Sequence, residues 1–261
     1  MKTMASISQH TVVAVQRALI ILDLVARAPA GLGTREISRK LGYGSGTTQK
    51  ILNTLRSHGW IAKRSETDRY VLGLGAIAFA YLAHSHSNVI TLARPFLERL
   101  ARQTNESVYL AIRQENACVY VDKVLGSEEI RMDAPLGIKR PLNCTAVGKA
   151  LLAYADGQDR TALQALAGSF ETSTKRSVID ADALYDELAV VRRNGYALDI
   201  REYNPSGACI AAAVRDGDGL PVAAITVTGP AERLEENRDE FARLVAAAAI
   251  EFSQSLSGVV A

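Results

Sequence analysis

The sequence predicts an α+β chain in two parts: a small helical head with a short two-stranded appendage, and a larger domain around an antiparallel sheet. Three observations predict it. Residues 34–59, TREISRKLGYGSGTTQKILNTLRSHG, hold two amphipathic helical segments separated by glycines. From Ser107 onward the pattern changes to short strands alternating with helices. Charge divides along the same line. Residues 1–70 hold 11 Lys/Arg against 4 Asp/Glu, whereas residues 71–261 hold 19 against 24. A basic head on an acidic body is the electrostatic pattern of a nucleic-acid-binding module carried by a second domain.

In order along the chain, residues 1–10 read as a loose tail. Residues 11–28 read as a helix with Val15, Leu19, Leu22 and Val25 turned inward, ended by Pro29-Ala-Gly-Leu-Gly33. Ile37 and Leu41 mark the apolar face of the next helix, and Ile51, Leu52 and Leu55 that of the third, at three- and four-residue spacing. Gly42–Gly46 forms the turn between them, and Gly59 closes the third helix. Residues 60–64 and 69–72 are strands flanking the turn Ser65–Asp68. This is a helix-turn-helix with a β-wing, over residues 11–73.

The outer face of the third helix carries Thr47, Thr48, Gln49, Lys50, Asn53 and Arg56, with no carboxylate. Such a face suits base-pair edges and the phosphates beside them. Thr47, Thr48 and Gln49 are assigned to bases. Lys50, Arg56, Lys63, Arg64 and Arg69 are assigned to phosphate, with Arg17, Arg35, Ser45 and Asn53 completing the interface on double-stranded DNA. The glycines do not form a phosphate loop, because no strand precedes them and no Gly-Lys-Ser/Thr follows.

Gly73-Leu-Gly75 reads as a hinge, and residues 74–103 as a helical linker: helices at 76–83 and 89–102 around the polar break 84–88. Tyr70–Ala93 carries no formal charge over 24 residues. Its apolar part is too short to span a bilayer, which takes ~20 residues. An uncharged helix with no partner in its own head predicts pairing with a second copy. In the body, 104–257, Val108–Ile112 and Cys118–Asp122 form a hairpin, and 129–133 a further strand. Helices follow at 145–154, 160–166 and 181–193, strands at 196–200, 209–215 and 222–228, and a last helix at 235–256. This order indicates helices packed on an antiparallel sheet.

Four stretches together resemble the IclR family of bacterial transcriptional regulators. They are Val15-Gln-Arg-Ala-Leu-Ile-Ile-Leu22, the helix-turn-helix running into Asp68-Arg-Tyr-Val-Leu-Gly73, Asn143-Cys-Thr-Ala-Val-Gly-Lys-Ala-Leu-Leu-Ala153, and the group 195–199, 209–212 and 225–230. The resemblance implies an N-terminal winged helix-turn-helix, a dimerising linker helix and a C-terminal GAF-like effector-binding domain, in dimers or dimers of dimers. It implies a DNA-binding regulator of transcription, and it places the effector at Asn143, Cys144, Thr145, Ala146, Val147, Gly148, Asp199, Cys209, Thr226 and Thr228. The chain departs from the family pattern at Ala213, where proline is usual, at Ser173–Val178, where a threonine-rich patch is usual, and at Thr226 and Thr228, where serines are usual.

The chemistry of those positions suits a small organic acid. Thr226 and Thr228 share one strand face. The first N–H groups of the helix after Thr145 can receive a carboxylate. Asp199, an acceptor when ionised, takes a ligand hydroxyl in the preferred arrangement; a protonated Asp199 is the alternative. Two other classes are weighed against regulation. A cysteine enzyme needs a base, yet His10, His58, His84 and His86 all precede the body. A ligand-free architectural DNA binder has no use for the second domain. No metal or cofactor is expected, because His84 and His86 diverge on a helix. The three cysteines, odd in number, and the absence of a leader pattern point to a reducing, cytoplasmic setting.

Overall fold

The computed structural model describes residues 11–85, 88–157 and 159–257. The expected tail at 1–10 and part of the expected break, residues 86 and 87, lie outside the described residues. The chain divides into two compact units between residues 86 and 87.

The head contains α1 (Val13–Ala26), α2 (Thr34–Leu41), α3 (Ser45–Ser57), a hairpin of β1 (Ile61–Lys63) and β2 (Tyr70–Leu72), and α4 (Leu74–Ser85). Its core is Ile21, Val25, Leu32, Ile37, Leu52, Leu55, Ile61 and Tyr70. Gly42 ends α2 at φ 68°, and Gly59 follows α3 at φ 73°, conformations that favour glycine. Two expectations are corrected here. Val15 and Leu19 are exposed, whereas Leu22 and Val25 pack inward as expected, joined by Ile21. The head core takes α1 from Ala18 to Val25 and leaves its first turn outside. Gly73–Gly75 is a packed contact, not a hinge. A Cβ at Gly73 would lie 2.2 Å from Gly59 O, and the Gly73 and Gly75 N–H groups donate to Trp60 O and Gly59 O. The expected linker is also shared between units: Phe79 of α4 packs its ring 5.2 Å from Trp60 in the head.

The body opens with α5 (Asn88–Thr104), β3 (Ser107–Gln114) and β4 (Ala117–Val124). Then come β5 (Lys139–Pro141), α6 (Ala146–Ala153), α7 (Arg160–Leu166) and α8 (Ala181–Asn194). It ends with β6 (Ala197–Ile200), β7 (Gly207–Arg215), β8 (Pro221–Pro230), α9 (Ala231–Glu236) and α10 (Arg238–Ser257). The six strands form one antiparallel sheet in the order β5-β4-β3-β8-β7-β6. Side chains alternate between its faces. Val108, Leu110, Ile210, Ile225 and Val227 pack with α5 and α10. Tyr109, Ala111, Cys118, Ala211 and Ala224 pack with α6 and α8. Residues 129–133, expected as a strand, join no ladder: Met132 O accepts from the Tyr109 hydroxyl and Ile130 O from Arg233. Side-chain donors have taken the carbonyls a strand would need. The expected last helix is two, α9 and α10, parted at Asn237.

Candidate DNA interface and effector site

In the head, α3 turns Thr48, Leu52 and Leu55 inward and leaves Ser45, Thr47, Lys50, Asn53 and Arg56 exposed. Thr48 corrects the expected outer face. It is fully buried, and its hydroxyl donates to Gly44 O at 3.2 Å, so it reaches no base from this position. Gln49 is half-engaged inside the head. Its amide donates to Asn53 Oδ1 and to the Tyr70 hydroxyl, and accepts from Thr34.

The cations differ in the same way. Lys50, Arg56 and Arg35 stand exposed without an ion pair among the described residues, and Arg64 makes one long bond to Pro29 O. Lys63 pairs with Asp68 at 3.0 Å, and Arg69 is held by Glu36 and Gly31 O, both at 2.9 Å. Arg69 thus fixes the wing to α2 before any phosphate arrives. Arg17 lies 5.0 Å over the Tyr43 ring, a cation–π contact that orients it at the turn between α2 and α3. Most of the predicted basic face therefore exists as a surface, with Thr48 removed and Arg69 and Gln49 tied into the scaffold.

In the body, the face of the sheet beneath α6 brings Asp199, Cys209 and Thr228 side by side, since Cys209 is paired with both others across its neighbouring strands. Thr226 lies one pair further along, opposite Tyr109 and Ala211. Cys209 sits in an interior strand, and burial pushes its thiol well up, yet it keeps some exposure. Cys209 packs against the core on this face yet stays partly exposed, which leaves an opening, a hollow, in front of it.

The polar groups around this hollow divide into engaged and available. Asp199 is buried, and burial pushes its carboxyl up to about 6. Its Oδ1 accepts from the Glu202 and Tyr203 N–H groups at 2.8 and 3.2 Å. Thr226 Oγ1 donates to Ile210 O, and Thr228 Oγ1 to Cys209 Sγ. Both hydroxyls are donors into the protein and offer a ligand only lone pairs. Asn143 uses both N–H donors on Glu171 O and Val178 O, anchoring the segment after α7. Thr145 is the N-cap of α6, donating to Pro141 O and accepting from Gly148 N. A Cβ on Gly148 would lie 2.4 Å from Leu142 O, so this glycine serves close packing. Asn143, the Thr145 side chain and Gly148, expected as ligand contacts, are thus occupied in building the site. The Ala146 and Val147 N–H groups, at the start of α6, have no acceptor within the helix.

Below the hollow lies a buried charge cluster. Lys149 Nζ donates to Glu202 at 2.6 Å and to Glu187 at 3.0 Å. Burial opposes the Lys149 charge, but the two carboxylates outweigh it and its pKa stays raised. Glu202 is pushed up to about 7, chiefly by burial, and its Oε2 has no hydrogen-bond partner among the described residues. The thiols make poor nucleophiles. Burial raises all three, Cys118 to about 12, and a thiol held protonated does not attack. Among the described residues no three His, Cys, Asp or Glu side chains gather to hold a metal, and no helix is long and apolar enough to cross a membrane.

Sequence reasoning passed over Arg140. It stands on β5 in register with Cys118, which puts its side chain on the hollow's face of the sheet. Only the pairing of β5 with β4, far apart from β6 and β7 in sequence, reveals this.

The sequence matches the profile of the bacterial transcriptional regulator IclR C-terminal domain over residues 81–254, and that of the IclR helix-turn-helix domain over residues 14–65. It is 34% identical to the HTH-type transcriptional regulator BhcR of Paracoccus denitrificans, over 86% of this chain and 80% of that protein. It is 30% identical to the HTH-type transcriptional repressor AllR of Escherichia coli, over 89% and 85%. The crystal structure of the Thermotoga maritima IclR superposes with a TM-score of 0.72 at 28% identity, covering 93% of this chain and 98% of that one. An IclR homolog from Microbacterium hydrocarbonoxydans, complexed with 4-hydroxybenzoate, superposes with a TM-score of 0.78 at 19% identity, over 93% and 98%. The winged helix-turn-helix and the α+β body thus fall within one group, and the chain belongs to the IclR family of bacterial transcriptional regulators.

Proposed function

We propose that the chain binds a promoter operator through its head and senses a small organic acid through its body, the acid changing operator affinity. The observation that carries the first half is the exposed, carboxylate-free face of α3 with Thr47, Lys50, Asn53 and Arg56. Supporting the second half is the hollow over Cys209, rimmed by Asp199 and the start of α6. Thr47 and Ser45, at the exposed N-terminal turn of α3, are assigned to bases; Lys50, Arg56, Arg35 and Arg64 to phosphates; Arg17 to phosphate from its seat on Tyr43. Gln49 contributes only what remains of its amide.

A second copy completes the protein. α4 exposes Leu74, Ile77, Phe79, Tyr81 and Leu82, and α1 exposes Val15 and Leu19 beside an apolar groove of about 600 Å³ that reaches Trp60. Surface of this kind favours covering by an apolar partner, and a two-fold copy brings two α3 helices onto one DNA face. Half-sites about 34 Å apart, or a multiple, are then expected. Footprinting on the natural promoter together with sedimentation tests this reading. A two-fold protected site and a dimer or larger assembly support it; a monomer protecting one asymmetric site overturns it.

A further inference from the structure

The hollow's own hydroxyls donate elsewhere, so a carboxylate placed there must find its donors in another group. Arg140 is the candidate. Its guanidinium is half-buried and on the correct face of the sheet. It donates to the Tyr203 hydroxyl and lies 5.0 Å from the centre of that ring. Tyr203 in turn donates its backbone N–H to Asp199, which ties the arginine to the rim of the hollow through one residue. The positive charge is felt inside, where it lowers the pKa of Cys118, Tyr120 and Cys209 against the upward push of burial.

Several arginines of the body are already neutralised by carboxylates. Arg94, Arg160, Arg201 and Arg233 each face two carboxylates. Arg140 has no ion pair among the described residues, and its assigned hydrogen bond goes to a neutral phenol. A half-buried guanidinium held by a ring and a phenol keeps most of its five donors free. Its planar fork matches a carboxylate.

We propose that Arg140 is the counter-ion for the carboxylate of the bound acid, held in place by Tyr203, and that it selects anionic over neutral ligands. This deepens the sensing role proposed above and rests on it. The acid's carboxylate then sits toward β5, with its remaining polar atoms directed to Asp199 and to the Ala146 and Val147 N–H groups. The sequence expectation put the carboxylate at the start of α6 and the two threonines; the threonine hydroxyls already donate to Ile210 O and Cys209 Sγ, so in this arrangement Arg140 takes the carboxylate and the α6 N–H groups take the ligand's other polar atoms.

The test uses full-length protein and a panel of small carboxylic acids beginning with 4-hydroxybenzoate, each run beside its uncharged amide. Ligand-induced thermal shift is read for the wild type, Arg140→Gln, Arg140→Lys and Tyr203→Phe. The unliganded melting curve of each variant checks its fold. Wild type should respond to at least one acid and much less to its amide. Arg140→Gln should raise the half-maximal acid concentration about tenfold or more, as expected for losing a charged hydrogen-bonding partner, and should narrow the preference for acid over amide. Arg140→Lys should recover part of the loss, since it keeps charge without the fork. Tyr203→Phe should lose a smaller factor, and it still tests the proposal should Arg140→Gln unfold. If acids act equally on wild type, Arg140→Gln and Tyr203→Phe, the Arg140 role is overturned while sensing stands. If no acid shifts the wild type, the sensing role falls and the Arg140 role with it.

Discussion

The head and the body solve opposite problems. In the head, the cations assigned to DNA stand on the surface: Lys50, Arg56 and Arg35 are exposed and unpaired among the described residues, ready for phosphates that bring the compensating charge. In the body, the charged groups near Cys209 lie inside and are already compensated: Lys149 sits between Glu187 and Glu202, and Asp199 accepts from two backbone N–H groups. Surface charge at the head contributes little to folding and much to long-range attraction. Buried charge in the body is committed to the fold, so a ligand of the proposed kind would meet a scaffold in which most donors are taken. Arg140 is the exception inside, and Arg69 the exception outside.

The largest expected effect breaks the body's charge cluster. Lys149→Met removes a nearly fully buried cation and leaves two carboxylates facing each other. Removing one partner of a buried pair costs about 3–5 kcal/mol. Chemical denaturation at pH about 8, where Glu202 is ionised, should show a loss of that size. A loss under about 1 kcal/mol would mean the cluster is hydrated and the contrast with the head is not real.

A smaller effect, of the opposite kind, is expected from Lys50→Ala. Stability should change by no more than about 0.5 kcal/mol. Operator affinity should fall for all sequences alike, and the salt slope should drop by about one. Thr47→Val sharpens the point, since it should change choice at one base pair by about 1–3 kcal/mol instead. Equal, uniform losses for both variants would remove the division between base and phosphate contacts.

A further contrast concerns pH. Asp199 has a folded pKa of about 6 against an ordinary 3.8. The folded state therefore holds this proton where the unfolded state has released it. Between those values the folded state binds more protons, so stability falls as pH rises. Asp199→Asn, which keeps an acceptor for Glu202 and Tyr203, should flatten that fall. Melting temperatures across the window decide it, and parallel curves for both proteins would show that Asp199 is not held near neutrality by burial.

Much of the head was legible in the sequence because its signals are local. The Ile37–Leu41 and Ile51–Leu55 spacings, the Gly42 turn, Gly59 after α3 and the wing around Ser65–Asp68 all lie within a few residues of each other. Thr48 was misread although it stands four and seven residues before Leu52 and Leu55, a helical spacing that places it on their inward face. Val15 and Leu19 were misread because apolar periodicity does not say whether a face meets its own core or a partner. In the body most strands were legible from alternation; 129–133 was not a strand, because Tyr109 and Arg233 capture the carbonyls, and the three-residue β5 was missed because it is too short to show alternation. The fold class follows from such patterns. The site does not, because Arg140 and Cys118 join one sheet with Asp199 and Cys209 only through the pairing of β3 with β8, far apart in sequence. Gly73 and Gly75 show the same limit: their need for glycine comes from Gly59, across the wing.

The central claim is that one chain carries a DNA-reading surface and an acid-sensing interior that act on each other. Fluorescence anisotropy of a labelled fragment of the natural promoter, titrated with the full-length protein at fixed salt with and without an acid that shifts its melting temperature, tests it most directly. The account predicts saturable binding in preference to scrambled DNA, with a midpoint that moves several-fold when the acid is present. Equal affinity for promoter and scrambled DNA, or a midpoint indifferent to an acid that the protein binds, would contradict it.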